Sequence, residues 1–219
     1  MLFPTPLVAA TVLATLSLAH PLGVEHVQAA QLDPRQRGGG STENAEGCAD
    51  MIIVFARGTT EAGNVGSIVG PPLLAATKSA AGGKTVAMQG VEYAANIPGF
   101  LAGGDRRGSA EMAKQVQNFA NSCPDSKITM SGYSQGGQVV HNAAQQLDAA
   151  TQQRISSAVI FGDPKNGEPV AGVPADKTLI ICRDGDNICN GGFRVLAPHL
   201  QYGRDADQAA QFIVNQASK

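Results

Sequence analysis

The sequence predicts an α/β domain: a central, mainly parallel five-stranded sheet with helices on both faces, three layers in the order αβα. Three observations carry this. Strand-like and helix-like segments alternate about five times between Met51 and Gln216, the pattern of a parallel sheet built from crossover units. Several strand segments are continuous apolar runs, as expected of strands buried on both faces. Glycine is abundant, with 26 among 219 residues, which suits many tight strand-to-helix turns.

In chain order, Met51-Ile52-Ile53-Val54-Phe55-Ala56 is the first buried strand, and Arg57 to Glu61 is the polar turn at its end. Pro71 to Ala81 reads as a helix and Thr85 to Val91 as a second strand. Asn96 to Gly108 reads as a glycine-rich loop carrying Ile97, Phe100 and Leu101. From Ser109 to Asn121, Met112, Val116 and Phe119 share one helical face. A β-prone run from Lys127 then meets Gly132-Tyr133-Ser134-Gln135-Gly136, and a helical pattern continues to Leu147. Ser157 to Phe161 is the next strand, ending at Gly162-Asp163-Pro164. Thr178 to Cys182 is the last, and Asp205 to Gln216 closes the chain as a helix with Ala209, Phe212 and Ile213 inward.

The chain before the first strand reads differently. Residues 5–19 are almost wholly apolar but short for a membrane span, so 1–19 is expected to be a secretory signal peptide. Residues 20–46 lack sustained apolar periodicity and are expected to be a propeptide or disordered linker, with Arg37 a candidate processing site. The remaining residues, 47–219, form the expected domain. A net charge of −2 gives no reason to expect nucleic acid or an anionic membrane surface as partner. Four cysteines, Cys48, Cys123, Cys182 and Cys189, fit two disulfides in a secreted chain. Three pairings are open; Cys182 with Cys189 is the local choice and leaves Cys48 for Cys123. Without a C-x-x-C spacing, and with two histidines outside the leader, neither metal nor other cofactor is expected.

A G-x-S-x-G turn between a strand and a helix is the setting of a nucleophilic serine. The small flanking residues allow a sharp turn that lifts the Ser134 hydroxyl off the end of the sheet. The Gln135 N–H, at a helix start, is free to donate to an oxyanion. The base should be a histidine. His20 and His26 lie in the leader. His141 lies two helical turns beyond Ser134, about 10 Å along the axis, and reads as an exposed or capping residue. That leaves His199, in a loop after the last strand. Asp163, Asp176, Asp184 and Asp186 are candidates for the orienting acid. Pro164 and Lys165 make Asp163 look turn-initiating. Asp184 and Asp186 share the small cysteine loop, and spacing alone does not choose between them. A second oxyanion donor is expected from the loop after the first strand, where Thr59 stands.

Four segments in order give a more specific reading: Phe55 to Gly66 (FARGTTEAGNVG), Gly132 to Gly137 (GYSQGG), Cys182 to Cys189 (CRDGDNIC) and Ala197 to Gly203 (APHLQYG). Together they resemble the fungal cutinases, and the resemblance runs from about Cys48 to the last helix. It implies a small αβα esterase without a lid domain. Its triad would be Ser134, Asp186 and His199, with the acid three residues before the second cysteine of its loop. The oxyanion hole would be Thr59 and Gln135, and the disulfides Cys48–Cys123 and Cys182–Cys189. An apolar rim of Ile97, Phe100, Leu101, Phe193, Val195, Leu196 and Leu200 would suit an insoluble polyester such as cutin, or a lipid ester. A secreted monomer without stable membrane insertion is expected. An acetylxylan esterase on the same scaffold is the alternative within the class, although the extra cysteines expected there are absent. A non-catalytic surface-binding protein is the alternative outside it.

Overall fold

The computed structural model describes Met1, Leu2 and residues 40–219. The apolar run expected to be a signal peptide, and the linker up to residue 39, lie outside the described residues. Among the described residues, no helix is long and apolar enough to cross a membrane.

Five parallel strands form one sheet: β1 (Met51–Ala56), β2 (Val86–Gly90), β3 (Lys127–Tyr133), β4 (Ile155–Phe161) and β5 (Thr178–Ile181). Their order is β2-β1-β3-β4-β5. Successive side chains of β1 point to opposite faces, and both faces are covered. Ile52, Val54 and Ala56 pack in one core with Met112 and Val116 of α3 (Arg106–Ser122) and Val139 and Val140 of α4 (Gln135–Ala144). Met51, Ile53 and Phe55 pack in the other with Leu73 of α1 (Gly70–Ala80) and Ala209 and Ile213 of α6 (Ala206–Ala217). The expected three-layer sandwich is thus the observed fold. Its strand order reverses direction between β1 and β3, and ligands of open α/β sheets bind at the carboxyl ends around such a switch point.

The stretch expected to be a loop from Asn96 to Gly108 is partly helical. Asn96 caps a short α2 (Ile97–Leu101), its side chain accepting from Gly99 N at 2.8 Å. Asp105 caps α3 in the same way through Gly108 N at 2.7 Å, so that helix starts three residues before Ser109. The two N-cap side chains satisfy N–H groups that the glycines on their own would leave to solvent. The helix after Ser134 ends at Ala144, short of Leu147, and α5 (Ala149–Gln153) follows it.

Residues 40–46, grouped in sequence with the linker, are tied to the domain. Ser41 N donates to Gly66 O, while Asn64 N and Val65 N both donate to Ser41 O. The buried Asn64 side chain accepts from Glu43 N at 2.8 Å and donates to Glu43 O at 3.2 Å. Nothing in the periodicity of this polar segment announces these bonds, because they are made by its backbone. Cys48 is bonded to Cys123, and Cys182 to Cys189.

His141 corrects the sequence reading. It is buried rather than exposed, and its Nε2 lies 2.9 Å from Asp163 Oδ2, also buried. Asp163 does initiate a turn, Oδ1 accepting from Lys165 N at 2.9 Å, but its other oxygen locks α4 to the end of β4. Helical spacing places His141 along α4; only the packed fold shows that this face is covered by the β4 turn. Removing one member leaves a buried polar partner unmatched. His141→Ala should therefore lower the free energy of urea unfolding by about 3 kcal/mol. The Asp163→Ala, His141→Ala double variant should lose less than the two single losses added together.

Candidate active site

The site is assembled at the carboxyl ends of β1, β3 and β5. Ser134 separates β3 from α4 with φ 57° and ψ −121°, a conformation costing on the order of 1–3 kcal/mol for a non-glycine residue. The flanking glycines permit the turn. A Cβ at Gly132 would lie 2.3 Å from Gly136 O, and one at Gly136 would lie 2.0 Å from Ala56 O. Thr60 and Ala95 also have positive φ, so the non-glycine backbone strain among the described residues gathers around this site.

His199 reaches Ser134, and Asp186 reaches His199, from two later segments. His199 Nε2 is 2.9 Å from Ser134 Oγ, and His199 Nδ1 is 2.8 Å from Asp186 Oδ2. Both Asp186 oxygens already accept, Oδ1 from Ile188 N at 3.0 Å and Oδ2 from the Tyr202 hydroxyl at 2.6 Å. Nδ1 therefore carries the ring proton, and Nε2 is left to accept from Ser134. Asp186 and His199 are buried, and Ser134 is 6% exposed. Between the two aspartates that spacing does not separate, Asp186 points inward to His199, while Asp184 is exposed. Tyr133, inside the elbow, holds the base segment by donating its hydroxyl to His199 O at 2.8 Å. Burial pushes the Tyr133 phenol well above the ordinary tyrosine range, with the charges of Glu61 and Asp186 acting in the same direction, so it stays a donor.

Two N–H groups near the serine turn, those of Gln135 and Thr59, have no acceptor among the described residues. Gln135 opens α4, so its N–H has no intrahelical acceptor. Gly58 N and Thr60 N donate to Glu61 Oε2 and Ala95 O, at 2.8 and 2.7 Å. No acceptor among the described residues takes the N–H of Thr59. The Thr59 hydroxyl accepts from Gln135 Nε2 at 2.9 Å, which leaves its own proton to donate. The loop carrying Thr59 is braced from two sides. Glu61 accepts from Gly58 N, Ser67 N and Ile68 N. The buried Arg57 donates to Glu61 O and Tyr93 O, each at 2.7 Å, with its guanidinium 4.9 Å from the centre of the Tyr93 ring.

A cleft of about 670 Å³ opens over Ser134 and His199. Six of the seven expected rim residues line it: Ile97, Phe100, Leu101, Phe193, Val195 and Leu200. Leu196 is not part of the lining, although it too is exposed. Phe193 is 74% exposed and Leu101 68%, so these are rim side chains rather than core. Sequence reasoning assigns nothing to Tyr202 or to the Gln135 side chain, and it treats Tyr133 only as a letter of the motif. Nothing in the sequence marks Tyr202: its place three residues after His199 gains meaning only because residues 197–205 wind as a 3-10 helix.

This relay can move the serine proton onto the imidazole while the carboxylate steadies the ring. The strained serine between strand and helix, with its base and acid on later loops, is the arrangement of a serine hydrolase on an α/β sheet. The chain belongs to the cutinase family: the family model described as Cutinase matches residues 47–217. The cutinase of Botryotinia fuckeliana is 59% identical over 174 residues, covering 80% of this chain and 86% of that one. A solved structure, Trichoderma reesei cutinase in complex with a C11Y4 phosphonate inhibitor, is 48% identical with a TM-score of 0.79, covering 84% and 83%. An acetylxylan esterase structure shares the fold at 23% identity and a TM-score of 0.61, covering 78% and 99%. Like its relatives, this chain is a carboxylic ester hydrolase, a serine esterase.

Proposed function

We propose that this chain cleaves the ester bonds of cutin and related aliphatic polyesters, with Ser134, His199 and Asp186 as its triad. The observation that carries the reading is the unbroken series of contacts from Ser134 Oγ through His199 to Asp186, at 2.9 and 2.8 Å, beneath an apolar mouth. His199 takes the proton of Ser134 as the oxygen attacks the ester carbonyl. Thr59 and Gln135 receive the oxyanion, each donor worth about 3 kcal/mol. His199 returns the proton to the leaving alcohol, and water repeats the sequence to release the acid. A protonated His199 cannot act as base, so activity falls on the acid side.

Exposed Ile97, Leu101, Phe193 and Leu200 suit an aliphatic chain at a solid surface better than a sugar acetate. Two disulfides suit an extracellular enzyme. Every group of the site comes from one chain, in keeping with a monomer. The test is a phosphonate label followed by an ester panel beside a polyester film. An adduct on Ser134, butyryl esters cleaved faster than acetyl esters, and soluble products from the film are expected. An unlabelled Ser134 sinks the triad. Cleavage confined to acetyl esters replaces the substrate with that of an acetylxylan esterase.

A further inference from the structure

We infer that Tyr202 is a positioning residue for this reaction: its hydroxyl binds the same Asp186 oxygen as His199 and thereby sets the pH at which the base becomes available. This rests on the triad proposed above.

Residues 197–205 wind as a 3-10 helix, in which side chains at i and i+3 eclipse. His199, Tyr202 and Asp205 follow that period and all reach the loop between Cys182 and Cys189. His199 Nδ1 and the Tyr202 hydroxyl meet Asp186 Oδ2, at 2.8 and 2.6 Å. Asp205 takes the Arg183 guanidinium in two bonds, at 2.7 and 2.9 Å. One stripe of the base-bearing segment is therefore bonded along its length to the acid-bearing loop.

The direction of the tyrosine bond is settled by its second partner. Arg183 N donates into the phenol oxygen at 2.9 Å, so the hydroxyl proton is directed at Asp186. Burial, followed by the bond to Asp186, holds the phenol well above the ordinary tyrosine range, and it remains a donor wherever the enzyme works.

Ring packing does not account for this. Tyr202 is fully buried, edge-on to His199 and Phe161. Gly162 leaves room for both rings, since a Cβ there would lie 2.7 Å from Tyr202 and 2.9 Å from His199. A phenylalanine ring would make the same contacts. Only the hydroxyl has a use for the two hydrogen bonds.

The sign of the effect follows. A donor on the carboxylate draws charge away from His199 and makes its imidazolium less favourable. Removing the donor strengthens the attraction, so the acid limb of kcat/KM moves to higher pH. The other charged or titratable groups near the pair stay in place: Tyr133 from β3 with Glu61 behind it, exposed Asp184 in the loop, and the Arg183–Asp205 ion pair.

The test compares Tyr202→Phe with Tyr202→3-fluorotyrosine, whose more acidic phenol donates more strongly. Tyr202→Phe should lower kcat/KM by roughly ten-fold, mostly in kcat. It should raise the acid limb by about half a pH unit, and the fluorinated protein should lower it. An acid limb that stays in place in both proteins overturns the inference, even if their melting temperatures fall. Should Tyr202→Phe not fold, the fluorinated protein decides by the same criterion. Phosphonate labelling of Ser134 in the unaltered enzyme is run alongside: a labelled serine with an unmoved limb rejects the role of Tyr202 alone, whereas an unlabelled serine rejects the triad itself.

Discussion

Ser134→Ala should lower kcat on p-nitrophenyl butyrate by about six orders of magnitude, the scale seen when the nucleophile of a serine hydrolase is removed. The fold should survive the change. Alanine meets the same backbone requirement at φ 57°, and the one side-chain hydrogen bond that disappears joins Ser134 Oγ to His199 Nε2. Gly132 and Gly136 still form the turn, and the N–H groups of Thr59 and Gln135 remain without an acceptor among the described residues. A small residual rate from those donors is expected. Melting temperature and kcat measured on the same preparation check this. A variant with ordinary activity and unchanged folding would remove Ser134 from the mechanism.

Asp186→Asn should cost about four orders of magnitude in kcat. The side chain keeps its size but loses its capacity to accept at both ends. Asp186 Oδ1 takes the Ile188 N–H, and Oδ2 takes both His199 Nδ1–H and the Tyr202 hydroxyl. An amide NH₂ on the first side would confront the Ile188 N–H. On the second it would confront His199, favouring the ring tautomer with its proton on Nε2, where it cannot take one from Ser134. KM should change little, because Asp186 is buried away from the cleft lining. Steady-state kinetics at fixed pH separate the two constants; a loss confined to KM would contradict the assignment.

Both effects depend on residues that are legible to different degrees. Ser134 stands out because its signal is local: a strand, two small residues and a helix start within a few positions. His199 emerges because the other histidines lie in the leader or too far along the helix of the nucleophile. Asp186 is separable from Asp184 in sequence only through the family pattern. Inside a closed loop, the direction of each side chain depends on what the loop docks against, and Tyr202 and His199 come from a segment 13 to 16 residues downstream.

The order of the five strands and of the four longer helices, the nucleophile turn and the cysteine loop follow from the chain alone, because periodicity and turn chemistry act over a few neighbouring residues. Three other features appear only in the folded protein. His141 is paired inside with Asp163, residues 40–46 are stitched to the loop that holds Thr59, and Tyr202 shares an oxygen with the base. Each is a polar contact between parts of the chain distant in sequence. Such contacts leave no periodic trace, since a hydrogen bond is set by where two backbones come to rest after the sheet has closed around its two cores.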